Sequence, residues 1–138
     1  MSARVILDTN IIVSALMTPT GQEALVLLLA LQGQLDLCIS PAVLAEYESV
    51  LPRAKFKLDP REIEATLANI RKSGRLVHPT VTLSEARHEP DNRFYECAAA
   101  ANADYIVTGN TKDFPKPYKT TQIVNARQLL DLLAEEKK

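Results

Sequence analysis

The chain has 138 residues, enough for one domain with a buried core and too few for two of ordinary size. Its 46% hydrophobic and 24% charged residues are the balance of a globular chain. A net charge of −1 supplies no overall basic field of the kind nucleic-acid binders carry, so any such function has to rest on a local site.

The longest apolar stretch, Ala24 to Leu31, is too short to span a bilayer. No signal-peptide apolar region is found near the N-terminus. A cytoplasmic protein without membrane contact is expected. Cys38 and Cys97 sit among apolar neighbours and read first as small buried hydrophobes in a reducing compartment. A disulfide or metal role is the lesser alternative.

Elements alternate along the chain. Arg4 to Leu7 predicts a strand that ends abruptly at Asp8-Thr9-Asn10, and Asn10 to Met17 predicts a short helix. Thr20 and Glu23 have capping-box spacing and predict a helix through about Gln32, stopped by Gly33. Leu37 to Ile39 predicts a second strand. Ser40-Pro41 is a cap followed by proline at the first helical position, opening a helix to about Leu51. Asp59-Pro60 repeats that logic for a helix carrying Ile63, Leu67 and Ile70 at helical spacing and ending near Gly74.

Leu76-Val77 with His78 predicts a third strand, and a polar linker with Pro79 and Pro90 follows. Asp91 to Ala101 predicts an alanine-rich helix suited to close packing on a sheet. Tyr105 to Val107 predicts a fourth strand ending at Thr108-Gly109-Asn110, and Gln122 to Val124 a fifth. Asn125 caps a final amphipathic helix through Leu133. One domain over residues 1–134 is expected, with a frayed tail at 135–138. Short strands alternating with helices predict a mainly parallel sheet covered on both faces.

Asp8 is the most informative residue. A carboxylate at the tip of a buried strand is where open α/β sheets place their chemistry. In a parallel sheet the Thr108-Gly109-Asn110 turn emerges on the same edge as Asp8. Glu46 lies on the helix opened by Ser40, with Val43 and Val50 near it, which favours an inner face. Asp91 opens a helix, where the dipole stabilises an anion. Asn110 and Asp113 follow strand four.

Carboxylates converging in one cleft repel unless a cation joins them, and hard oxygen ligands suit Mg²⁺ or Mn²⁺ rather than Zn²⁺. Such a centre serves phosphodiester hydrolysis without a covalent intermediate. Taken singly, each acid also has a bland reading. Asp8 and Asp91 suit helix caps, Glu46 a solvated helix charge and Asp113 a turn residue. The functional case rests on the set.

Four stretches carry a family resemblance: Val5-Ile6-Leu7-Asp8-Thr9-Asn10; Glu46; Glu89-Pro90-Asp91-Asn92-Arg93-Phe94-Tyr95-Glu96; and Ala103-Asp104-Tyr105-Ile106-Val107-Thr108-Gly109-Asn110. In this order and spacing, over essentially the whole chain, the sequence resembles the PIN domain, and within it the toxin components of bacterial toxin–antitoxin pairs. The resemblance implies a three-layer α/β/α sandwich around a mainly parallel sheet of about five strands, and a Mg²⁺- or Mn²⁺-dependent endoribonuclease. By position, Asp8, Glu46 and Asp91 match the family's three core acids. The fourth acid maps to the turn after strand four, where this chain departs from the pattern: Asn110 stands there, with Asp113 following. Either could be the fourth ligand, Asn110 through its carbonyl oxygen. Asn10 and Thr108 match polar positions that orient the acids. Asn92 and Glu96 are placed to support the site, and Glu96 to join it.

Substrate grip is assigned to Arg53 and Lys55, in a basic cluster with Lys57, and to Arg93 and Lys112, with Lys116 and Lys119 nearby in sequence. Such cations position a phosphate backbone without specifying sequence; solvated surface charge is the bland alternative. His78 and His88 are not needed for this chemistry. The expected partners are RNA, an antitoxin protein and a second copy of the chain. Two other functions compete. A phosphotransfer or receiver domain also uses strand-end aspartates, but Asp8-Thr9-Asn10 lacks the second aspartate or acid pair these need. A non-catalytic RNA- or protein-binding module with a degraded acidic site has Asn110 in its favour.

Overall fold

Val5, Ile6 and Leu7 are wholly buried because they form the middle of the sheet. In the computed structural model, which describes residues 2–136, the chain runs through β1 (Arg4–Leu7), α1 (Thr9–Met17), α2 (Gln22–Leu31), β2 (Asp36–Ile39) and α3 (Pro41–Val50). It continues through α4 (Pro60–Ser73), β3 (Arg75–Leu76), α5 (Asn92–Ala101), β4 (Tyr105–Val107), β5 (Gln122–Val124) and α6 (Ala126–Glu136). Short 3-10 turns lie at Ala54–Phe56, Glu89–Asp91 and Thr111–Asp113.

The sheet has five strands in the order β3-β2-β1-β4-β5, and every neighbouring pair is parallel. The chain steps from β1 out to β2 and β3, then returns to place β4 on the other side of β1. The strand order therefore reverses between β1 and β4, the switch point where open sheets leave a crevice at their carboxyl ends. Leu7 pairs with Val107, so Asp8 and Thr108 leave that crevice side by side. The alanines of α5 let it lie close against β1, β2 and β4, while α2 packs on β2 with α1, α4 and α6 around it. This is the expected three-layer α/β/α sandwich.

The caps explain most boundaries. The Ser40 hydroxyl accepts from the Val43 amide at 3.1 Å, and the Asp59 carboxylate from the Arg61 amide at 2.9 Å. Asn125 and Gln128 cap α6 reciprocally, at 2.8 and 2.9 Å. Gly33, at φ +80°, reverses the chain after α2. Gly74 is needed for space: a Cβ there would lie 2.7 Å from the Ile70 carbonyl oxygen.

Four expectations need correction. Thr20 does not cap α2; Gly21 holds the cap position without any side-chain cap, because a Thr18–Gly21 turn sets the helix entry one residue later. The third strand is Arg75–Leu76, not Leu76 to His78, since its pairing with Cys38 and Ile39 begins at Arg75. Asp91 precedes α5 inside a 3-10 turn. The last helix continues past Leu133 to Glu136; of the tail expected at 135–138, Lys137 and Lys138 lie outside the described residues. Both cysteines are free and buried, and burial pushes their thiols up to about 11 for Cys38 and about 12 for Cys97, which makes them inert hydrophobes.

The two edges of the sheet differ in charge. At the amino-terminal edge Asp36 pairs with Arg75 at 2.6 Å and with Arg4 at 3.8 Å, and Asp104 accepts from the Arg4 amide at 2.8 Å. At the carboxyl edge Asp8, Glu46 and Asp91 have no such partners: none forms an ion pair among the described residues.

Candidate active site

Asp8 is 8% exposed. It stands at the N-cap of α1 with extended backbone, yet its side chain makes no cap bond. Its Oδ2 instead accepts from the Thr108 hydroxyl at 2.8 Å, across the β1–β4 crevice. Thr108, wholly buried, also accepts from the Asn110 amide at 3.1 Å. The Asn10 side chain accepts from the Gly109 amide at 3.0 Å. Asn10 and Thr108 thus tie the two strand ends together.

Burial raises the Asp8 pKa from its ordinary 3.8 to about 6, and Asp91 and Glu46 add to it; the Thr108 hydroxyl and the Thr9 amide offset part of the rise. The Asp91 carboxyl is raised by partial burial, then by Asp113 and Glu46, against the opposing pull of His88. Asp91 makes no cap bond either, so the capping reading fails for both acids. Asp8, Glu46, Asp91 and Asp113 share one electrostatic field. They do not close into a cluster: among the described residues no three His, Cys, Asp or Glu side chains are gathered as a ready metal-binding group.

Asp113 is already engaged. Its Oδ2 accepts from Asn110 Nδ2 at 3.0 Å, and its Oδ1 lies 3.4 Å from His88 Nε2. The departure at Asn110 therefore leaves an amide hydrogen-bonded to the acid that follows it.

A model of the PIN domain family matches residues 4–112. The chain belongs to the PIN-domain family. An uncharacterized protein of Methanocaldococcus jannaschii is 27% identical over 110 residues, which cover 78% of this chain and 70% of that protein. The crystal structure of VapBC2 from Rickettsia felis, bound to a DNA fragment from their promoter, contains a chain of similar fold. It superposes with a TM-score of 0.58 at 19% identity, over 88% of this chain and 98% of that one.

The sequence placed Glu96 in or beside the acidic site of this PIN domain. The structure gives it another task. Glu96 Oε2 accepts from the Leu83 amide at 2.9 Å, and Oε1 lies 2.9 Å from Arg93 Nε as an ion pair without hydrogen-bond alignment. Asn92 Oδ1 accepts from the Ala86 amide at 2.7 Å, and the Asp113 carbonyl accepts from the Arg87 amide at 3.1 Å. These bonds strap the irregular segment before Asp91 onto α5 and onto the Thr111–Asp113 turn. The side chains of Asn92 and Glu96 are therefore engaged by backbone amides of that segment. Arg93 is spent on Glu89, at 2.7 Å, and Glu96, which leaves it poorly free for substrate. Arg53, Lys55 and Lys112 are exposed; Lys112 lies in the turn between Asn110 and Asp113.

Two features escaped the sequence reading. The inner face of α3 belongs to Tyr47, not Glu46: Tyr47 is wholly buried while Glu46 sits half-buried at the rim. Large apolar side chains are also exposed: Met17, Leu25 and Leu28, at 57%, 45% and 49%. A cavity of about 640 Å³ is lined by Leu25, Leu29, Leu35, Leu130 and Leu133. Leu25 and Leu28 belong to the apolar run of α2, whose outward residues cannot be told from its inward ones by composition.

Proposed function

We propose that this PIN domain is a Mg²⁺- or Mn²⁺-dependent endoribonuclease and the toxin of a toxin–antitoxin pair. One observation carries the reading: a buried aspartate at the switch point, held above its ordinary pKa beside Asp91 and Glu46, with none of the three in an ion pair among the described residues. The amino-terminal edge, where Asp36 is paired with two arginines and Asp104 accepts from a backbone amide, is the internal contrast. An all-oxygen donor set under mutual repulsion fits a hard divalent cation. Asp8, Glu46 and Asp91 would hold it, with Asn110 Oδ1 or Asp113 as the further ligand. When bound, such a cation neutralises charge on a phosphate and lowers the pKa of water. Thr108 keeps the Asp8 carboxylate aimed into the crevice. Lys112 is best placed to meet an RNA phosphate, and Arg53 and Lys55 extend the basic surface.

A protein partner, the antitoxin or a second copy of the chain, is supported by the large apolar side chains Met17, Leu25 and Leu28, each about half exposed. The non-catalytic alternative draws on Asn110 and on the open arrangement of the acids. Cleavage separates these readings, since the non-catalytic alternative yields no products, and product ends identify the chemistry. Incubation of single-stranded RNA with the purified protein and Mn²⁺ should yield fragments bearing 5′-phosphates. Fragments with 2′,3′-cyclic phosphates, formed equally in EDTA, would overturn the reading in favour of metal-free chemistry.

A further inference from the structure

The buried tyrosine of α3 has no part in the acidic site as described so far. Tyr47 is wholly buried, and its Oη donates to the Leu7 carbonyl at 2.5 Å. Leu7 is the residue before Asp8, and Tyr47 the residue after Glu46. The bond therefore joins the backbone of one proposed cation ligand to the helix that carries another. The contact is not local in sequence: forty positions separate donor and acceptor. Ring packing alone does not require the hydroxyl, because phenylalanine would fill the same space. A buried phenol that does keep its hydroxyl pairs it, and here the partner is the strand end that presents Asp8.

The surroundings agree with a fixed, neutral donor. Burial, then the neighbouring Cys97, Asp8 and Glu46, hold the Tyr47 hydroxyl protonated well above the ordinary tyrosine range. Cys97 belongs to α5, which follows Asp91. Tyr47 thus lies where the three elements bearing Asp8, Glu46 and Asp91 meet. Glu46 itself makes no hydrogen bond or ion pair with a described residue that would fix it. The position of its helix is what determines its reach.

We infer that Tyr47 is a positioning residue for the divalent-cation site: through its bond to the Leu7 carbonyl it sets how far Glu46 stands from Asp8. The inference rests on the cation reading above. Groups that orient ligands from behind typically change metal affinity 10–100-fold. The test is Mn²⁺ affinity, followed by electron paramagnetic resonance of the free ion, for wild type, Tyr47→Phe, Glu46→Gln, the double variant and Asp8→Asn. Circular dichroism checks that each one is folded. Tyr47→Phe is expected to weaken Mn²⁺ binding about tenfold. In the Glu46→Gln background the same change should have no further effect, because the group it positions is gone. A purely structural tyrosine would weaken binding equally in both backgrounds, and that result overturns the inference, as does unchanged affinity in Tyr47→Phe. If Asp8→Asn binds Mn²⁺ as wild type does, the cation reading falls, and the role of Tyr47 falls with it. If Asp8→Asn loses binding and Tyr47→Phe does not, only the role of Tyr47 is refuted.

Discussion

The Thr108 hydroxyl reaches the Asp8 carboxylate at 2.8 Å, linking the ends of the two strands between which the sheet order reverses. A hydrogen bond to a charged, buried acceptor contributes about 1.5–3 kcal/mol. Thr108→Val keeps the shape and removes the donor. It should cost about 2 kcal/mol in denaturant unfolding at pH 8 and lower RNA cleavage. Unchanged stability at that pH would show that the bond carries no weight.

Asp8 should oppose folding of the metal-free protein at neutral pH. Its folded pKa is about 6 against an ordinary 3.8, so the folded state holds a proton that the unfolded state has already released. The resulting stabilisation is fully present below the unfolded value and is lost as pH rises through about 6. Its size is on the order of 2–3 kcal/mol. In EDTA, wild-type stability should therefore decline across this window, while Asp8→Asn stays flatter and is the more stable protein at pH 7.5. Urea midpoints measured at several pH values decide it; parallel curves for the two proteins would contradict the assignment.

Asn110→Asp restores an acid at the departing position. Asn110 Nδ2 now donates to Asp113 at 3.0 Å, so the change sets two carboxylates against each other. Like charges at that distance raise one pKa and favour a cation. Mn²⁺ should bind the variant more tightly than wild type, and the metal-free variant should melt lower above pH 6. Weaker Mn²⁺ binding, read by calorimetric titration, would mean that the amide has a specific role of its own.

Glu96→Gln tests the strap. The substitution discharges the group that holds the Leu83 amide and pairs with Arg93. Amide exchange at Leu83 and Ala86 should quicken well beyond that of β1 and β4, with a global loss of about 1–2 kcal/mol. Protection unchanged at both amides would remove the strap from the description.

Much of this was legible in the sequence. The strand ending at Asp8, the Ser40-Pro41 and Asp59-Pro60 helix starts and the Thr108-Gly109-Asn110 turn are local signals, and each appears as read. What stayed hidden depends on three-dimensional contacts. The exposure of Leu25 and Leu28 follows from which face α2 turns to β2. Glu96 reads as able to join or support the site because it shares a helix face with Asn92, but the Leu83 amide and Arg93 occupy it, and only the folded path of the segment before Asp91 brings Leu83 there. Tyr47 gave no signal, since a tyrosine on an apolar helix face reads as core whether or not its hydroxyl is used.

The most direct test of the acidic edge is cleavage of a mixed single-stranded RNA by purified protein in Mg²⁺, Mn²⁺ or EDTA, beside Asp8→Asn and Asp91→Asn. Cleavage that needs the metal and is lost in both folded variants is the expected result. Cleavage that persists in EDTA, or at wild-type rate in either variant, would contradict the assignment of a metal-dependent nuclease centred on Asp8.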